Sequence, residues 1–343
     1  MKRSNRATIP SYWYFDEKVF QKELKYIFNN SWHLIGPESL IPNVGDTCPI
    51  EICNQPIMIS RVKENKINAF YNVCQHRGTI LLNKKKCYKH FQCKYHGWIY
   101  DLNGDLLRAR GFESSEMRND DFKLKSIKVK IWNKLIFINF AGDTTYFESV
   151  FDGIDKRIGN VDFSNYHYFE RVSYPIKCNW KVYLDNYLEG FHIPLVHKKL
   201  SKVLDYRSYE TELYDDFSLQ WCSIKDEENP YLNTSISKPI AYYFTVFPNI
   251  LLNIAPGRLQ TNIVEPKSSK TCTVHFDYFF STIDKEIIKE DMNFSDTIQR
   301  EDIEICEAVQ KGIESNGYNV GQISVKNEAG LHHFQSILKH YLN

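Results

Sequence analysis

The apolar positions change rhythm twice along the chain. Over residues 15–30, FDEKVFQKELKYIFNN, Phe20, Leu24 and Ile27 recur at helical spacing, and Asp16 and Glu17 favour the start of a short amphipathic helix. From about residue 41 the period falls towards two. TCPIEIC, QPIMISRV and INAFYNV are short β-type runs separated by Asn, Lys and Pro, and Asn103-Gly104 marks a tight turn. SIKVKIWNKLIFINF (126–140) alternates on both sides of Asn133-Lys134, which predicts a hairpin. Beyond residue 150 both rhythms mix. NWKVYLDNYLEGFH (179–192) has helical spacing, whereas LYDDFSLQWCSI, AYYFTVFP, ILLNIAPGRLQTNIVEP and TCTVHFDYFFSTI read as strands. SDTIQREDIEICEAVQKGIES (295–315) reads as a long amphipathic helix and GLHHFQSILKHYL as a second one. The expectation is an α+β chain: a small all-β domain over 41–148, then a domain over 149–343 built on an antiparallel sheet with long C-terminal helices. Residues 1–40 are expected to pack on that second domain.

Composition narrows the class of function. The chain has 343 residues, enough for one large core or two ordinary domains, and a net charge of +1. No overall field recruits nucleic acid or an acidic membrane surface. No run of eighteen apolar residues exists, and no apolar segment follows the basic opening MKRSNRATIP. These features place the chain in the cytoplasm, where its nine cysteines serve as metal ligands or small core residues rather than disulfides. Aromatic residues reach 15%, consistent with a large aromatic core or an aromatic-lined pocket.

Two short pairs carry the first candidate chemistry. Cys74-x-His76 and Cys93-x-x-His96 repeat the order Cys-then-His, with Gly78 and Gly97 behind them. An extended segment turns i and i+2 to one side, so Cys74 and His76 are expected to face one centre. A structural zinc ion accepts two Cys and two His, but zinc motifs usually group like with like. A two-iron, two-sulfur cluster of the Rieske type takes two Cys on one iron and two His on the other, which explains the repeated order. The third reading is buried thiols with incidental histidines. Cys87 and His90 fall outside both pairs.

A second constellation lies in NWKVYLDNYLEGFHIPLVH (179–197). Tyr183, Tyr187 and Phe191 form an aromatic face most simply read as core, and Asp185, Glu189 and His192 form a polar stripe. A straight helix would hold His192 and His197 about 140° apart. A break at Pro194 is expected to bring them together. The bland reading of the stripe is a solvated face; the chemical one is an iron held by two histidines and a carboxylate, with positions open to dioxygen. In the 295–315 helix, Asp302 is centred on a stripe of Ile298, Ile305, Cys306, Val309 and Ile313, with Glu301 near its edge. A carboxylate on an apolar face is costly unless it is paired or metal-bound.

CQHRG followed by CKYHGW resembles the Rieske domain of ring-hydroxylating oxygenase α subunits. The segments 179–197 and REDIEICEAVQ resemble the catalytic domain of the same family. The resemblance implies a [2Fe-2S] cluster on Cys74, His76, Cys93 and His96, and a mononuclear Fe(II) on His192, His197 and Asp302. It implies a START-like, helix-grip catalytic domain, with Asn186 near the open side of the iron. Glu189 takes the place of the acidic residue, usually aspartate, that bridges electron transfer from the cluster. It further implies a head-to-tail homotrimer that uses dioxygen to hydroxylate or oxidatively demethylate a small organic substrate. REDIEICEAVQKG and GLHHFQSILKHYL look most like the members acting on choline, betaine or carnitine, and Tyr242, Tyr243, Phe244 and Phe247 are candidates for an aromatic cage around the cation. No G-x-G-x-x-G follows a strand, so electrons are expected from a separate NAD(P)H-dependent reductase or ferredoxin. Three alternatives stay open: an aromatic-acid ring-hydroxylating dioxygenase, a Rieske electron carrier without oxygenase chemistry, and a zinc-stabilised binding module.

Overall fold

The structure is a computed structural model that describes residues 6–113, 122–142, 145–159, 161–225 and 239–342. The chain divides into two compact units, residues 29–144 and residues 1–28 with 145–343. The first boundary therefore lies at 29 rather than 41. The reason is β1 (Trp32–Pro37), which pairs with the last strand of the β unit and is buried at every position. A strand buried on both faces shows no alternation, so its sequence carries no period-two signal.

The β unit continues with β2 (Asp46–Ile52), β3 (Gln55–Lys63), β4 (Lys66–Tyr71), β5 (Lys86–Cys87), β6 (Phe91–Gln92), β7 (Ile99–Tyr100), β8 (Leu106–Arg108), β9 (Ser126–Trp132) and β10 (Leu135–Asn139). Seven strands run in the order β1-β10-β9-β4-β3-β2-β5, and β6-β7-β8 form a separate small sheet. The hairpin at Asn133-Lys134 is present, both residues taking positive φ (46° and 64°) as a tight two-residue turn requires. A second core gathers Leu81, Phe91, Trp98 and Tyr100 around the loop before β7 and the loop after β4. Those two loops hold the Cys/His pairs.

In the other unit, α1 (Glu17–Tyr26) starts where Asp16 accepts the backbone N–H groups of Lys18 and Val19. It is followed by α2 (Thr145–Ile158), β11 (His167–Ile176), α3 (Trp180–Tyr187), α4 (Ile193–Val196) and α5 (Leu200–Val203). Then come β12 (Glu210–Leu213), β13 (Phe217–Ser223), β14 (Ile240–Val246), β15 (Ile250–Ala255), β16 (Arg258–Ser268) and β17 (Thr271–Phe280), closed by α6 (Lys285–Ile313) and α7 (Ala329–Leu342). The seven strands form one antiparallel sheet, β11-β17-β16-β15-β14-β13-β12. Two segments expected as single strands are hairpins, turning at Tyr214–Asp216 and at Pro256-Gly257. The helix expected over 295–315 begins ten residues earlier, where Asp284 caps it through Glu286 and Ile287.

α6 lies on one face of this sheet, joined by Tyr278 to Ser295, Ser295 to Gln260 and Tyr174 to Asp296. Its buried side keeps only part of the apolar stripe expected around Asp302. Ser295, Gln299, Cys306, Gln310 and Ile313 are buried, whereas Ile305 and Val309 are exposed. α1 is tied to α3 by Glu23, which accepts from Lys181 Nζ at 2.5 Å and Trp180 Nε1 at 2.8 Å with both charged side chains fully buried. No helix among the described residues is long and apolar enough to cross a membrane.

Candidate metal centres and cavity

The two Cys/His loops are near copies of one another. The Gly78 N–H donates to the Cys74 carbonyl and the Gly97 N–H to the Cys93 carbonyl, each at 3.0 Å. The Cys74 N–H meets the Thr79 carbonyl and the Cys93 N–H the Trp98 carbonyl, five residues on in both cases. Gly78 and Gly97 take φ of 72° and 75°, which only glycine adopts without strain. The first pair sits in this turn, not in extended chain as expected, so the turn and not strand alternation aims Cys74 and His76. Both cysteines are buried, and the His76 and His96 rings lie 4.5 Å apart. Nδ1 of each histidine is buried with no hydrogen-bond partner. Two orphan imidazole nitrogens beside two buried thiols are expensive in an empty protein and natural around a metal unit that accepts all four. Tyr100, which sequence spacing did not single out, places its hydroxyl 3.4 Å from Cys74 Sγ, and Trp98 stacks on His76. Cys87 is exposed.

The second constellation forms differently from its helical pattern. α3 ends at Tyr187, so Glu189 and His192 lie beyond it and the helical stripe dissolves; Asp185, still inside the helix, accepts from the Tyr14 hydroxyl and Gln335 Nε2, and burial pushes its carboxyl up to about 7. Phe191 leaves the aromatic face and is exposed. Pro194 does not break a helix between the histidines; it sits in the first turn of α4, where a proline fits, with His192 before and His197 after. The turn at 188–192 is held by Glu189, which accepts from the backbone N–H groups of Phe191 and His192 and from His192 Nδ1. Gly190 allows Tyr209 to close over it: a Cβ there would fall 2.5 Å from the tyrosine ring.

One donor atom from each of His192, His197 and Asp302 lies within 4.8 Å of the others. Asp302 Oδ1 is 3.0 Å from His197 Nε2 and 3.8 Å from His192 Nε2. Each imidazole gives its other nitrogen to a carboxylate, His192 to Glu189 at 2.5 Å and His197 to Glu301 at 2.7 Å. That arrangement makes Nδ1 the protonated nitrogen and turns the Nε2 lone pairs on one point, as a metal requires. Burial lowers the His197 pKa, but the hydrogen bonds and charges of Asp302 and Glu301 outweigh it and hold the group above its usual value. Asn186 Nδ2 donates to Asp302 Oδ1 at 2.7 Å. Glu301 stood only at the edge of the sequence stripe; its partnership depends on where α6 meets the α4–α5 segment.

A cavity of about 130 Å³ opens beside these three residues. One wall is a cross-strand row, Gln220, Tyr243, Asn253 and Gln260, read directly off the pairing of β13 to β16. Tyr187, Tyr209, Phe276 and Phe294 add aromatic surface. Of the four expected cage residues only Tyr243 reaches it. Tyr242 and Phe244 lie on the opposite face of β14, and Phe247 stacks on Tyr341.

Comparison with known proteins identifies the family and the fold. The family profile described as ring hydroxylating alpha subunit (catalytic domain) matches residues 163–343, and that of the Rieske [2Fe-2S] domain matches residues 31–128. The chloroplastic choline monooxygenase of Arabidopsis thaliana is 32% identical over 98% of this chain and 83% of its own length. The carnitine monooxygenase oxygenase subunit of Escherichia coli K12 is 28% identical over 96% of this chain and 92% of its own. A solved quaternary ammonium Rieske monooxygenase superposes with a TM-score of 0.87 at 26% identity, covering 98% of this chain and 96% of the other. A naphthalene 1,2-dioxygenase at 18% identity, with a TM-score of 0.75, shares the fold.

Proposed function

The chain belongs to the ring-hydroxylating oxygenase α subunits, Rieske non-haem iron enzymes, and on that premise we propose that it oxidises a small quaternary ammonium compound with dioxygen. The observation that carries the reading is the convergence of His192, His197 and Asp302 at the mouth of a tyrosine-lined cavity. Cys74, His76, Cys93 and His96 would hold the [2Fe-2S] cluster, and His192, His197 and Asp302 the mononuclear iron. When bound, the cluster supplies stored electrons and the mononuclear iron supplies the centre at which dioxygen is activated.

The protein's own residues do the positioning. Glu189 and Glu301 keep both ligand histidines in the Nδ1–H form, and Asn186 holds the Asp302 carboxylate in place. The rings of Tyr187, Tyr209, Tyr243, Phe276 and Phe294 offer faces to a quaternary ammonium and keep water from the reacting carbon. Choline and carnitine monooxygenases among the relatives support this substrate class, and the small cavity suits it. Glu189, hydrogen-bonded to His192, would stand in the place of the acidic bridge between the two metal groups. One solved relative is described in terms of inter-subunit electron transfer, and the same assignment here makes the protein a head-to-tail homotrimer fed by a separate reductase or ferredoxin. Oxygen uptake driven by a surrogate reductase tests the reading. Uptake should be stimulated by at least one of choline, betaines or carnitine, with formation of an oxidised or demethylated product; stimulation by aromatic acids alone would overturn the substrate class.

A further inference from the structure

Arg258, Gln260 and Asn262 alternate along β16, so their side chains share one face, and all three line the cavity. Each is more than nine-tenths buried. Arg258 Nε lies 2.7 Å from Asp291 Oδ1, and its Nη2 donates to Gln260 Oε1. Ser295 Oγ donates to the same oxygen at 3.1 Å. A guanidinium has donors and no acceptor, so this contact has only one possible sense. Gln260 must turn its carbonyl to Arg258 and its amide nitrogen onward. That nitrogen donates to Asn262 Oδ1 at 2.6 Å. Asn262 is fixed in turn: its oxygen is taken, and its Nδ2 has no protein partner among the described residues.

Two more amides at the cavity have the same polarity. Gln299 Oε1 accepts from the Tyr183 hydroxyl at 2.7 Å, leaving a buried Nε2 without a partner. Asn253 Oδ1 accepts from the Tyr187 hydroxyl at 2.6 Å. In Asn253, Asn262 and Gln299 the side-chain oxygen is taken inside the protein and the amide N–H groups are left for whatever enters, whereas Gln220 and Gln260 spend theirs on the Tyr187 carbonyl and on Asn262. Gln299 Nε2 is buried and unmet, and together with the Asn262 and Asn253 amides it favours an occupant that brings acceptors, a carboxylate more strongly than a neutral hydroxyl.

We propose that Asn262, held by the Arg258–Gln260 relay, is a specificity-determining residue that selects substrates bearing a carboxylate as well as the quaternary ammonium. The ammonium half of this statement rests on the function proposed above. The relay favours a betaine-type zwitterion over choline, although a choline monooxygenase is among the more similar relatives in sequence.

Calorimetric titration of the anaerobic holoenzyme with glycine betaine, γ-butyrobetaine, L-carnitine and choline tests it. At least one carboxylate compound should bind about tenfold or more tighter than choline, the scale of a hydrogen bond to a charged group. Asn262→Asp, which replaces the donor by an acceptor of the same shape, should erase that preference. Gln260→Met should do so too without adding charge, because Asn262 is then free to turn. In turnover both changes should appear mainly in KM. Choline binding as tightly as the carboxylates, no binding of any of the four, or a preference surviving both substitutions would overturn the proposal. If the variants fail to fold, the wild-type comparison alone decides. A wild-type protein that shows the preference but consumes no oxygen would defeat the oxygenase reading and leave the relay standing.

Discussion

A histidine becomes a metal ligand through what its second nitrogen does. His192 and His197 each commit Nδ1 to a carboxylate, and the two carboxylates, Glu189 and Glu301, have different origins in the chain. Glu189 is local, three residues before its partner; Glu301 comes from a distant helix. Glu301→Gln should weaken iron retention about 10–100-fold, read by dialysis against a chelator, while the cluster spectrum stays intact. Unchanged retention would remove Glu301 from that role. His192→Ala should stop turnover and likewise spare the visible spectrum, whereas Cys74→Ser should abolish that spectrum; a His192→Ala variant that still turns over would exclude it as a ligand. The seven proposed ligands stand out in the sequence because spacing and residue type are local properties. Tyr100, Glu301 and the polar file on β16 do not, because their roles arise from register and helix placement, which link residues far apart in the chain.

Helices and strands hold these groups through a few ionic ties, one fully buried and one partly exposed. Glu23 joins α1 to α3, the helix that leads into the ligand turn, and neither partner of its bond to Lys181 sees solvent. Burial lowers the Lys181 pKa, against which the charge of Glu23 works. Glu23→Ala should cost about 3–5 kcal/mol in urea unfolding, because it leaves a buried ammonium unpaired; a cost below about 1 kcal/mol would mean that water reaches the site. On the other side of the sheet, Arg157 of α2 grips Glu212 of β12 with two nitrogens, at 3.0 and 2.6 Å. The Arg157 hydrogen bonds hold the Glu212 carboxyl at about 2, below its ordinary 4.5. A depressed carboxylate stabilises the fold above its ordinary pKa and loses that contribution as the pH falls through its folded value. Thermal stability should therefore decline between about pH 5 and pH 2, and Glu212→Gln should flatten that limb; identical slopes would show that the pair is screened. The hairpin at Asn133-Lys134 and the alternating strands could be read from the chain, since their patterns match the strand period. β1, β11 and α2 were missed, the first because burial on both faces erases alternation. α3 ended early because residues 188–192 follow the Glu189 turn rather than the helical repeat.

At the scale of the whole molecule, one chain carries two sites of different chemistry. The β unit offers two cysteines and two histidines in paired loops, and the sheet-and-helix unit offers two histidines and a carboxylate at a cavity. An electron carrier needs only the first; an oxygenase needs both. Residue types and spacing already argued for two centres, whereas the cavity's donor-rich wall emerged only when four strands were laid side by side. The most direct test is metal and sulfide analysis of anaerobically purified protein, combined with EPR of the reduced sample. Three irons and two labile sulfides per chain, with the rhombic signal of a histidine-ligated mixed-valence cluster, are expected. A colourless zinc protein, or one that holds two irons and never a third, would contradict it.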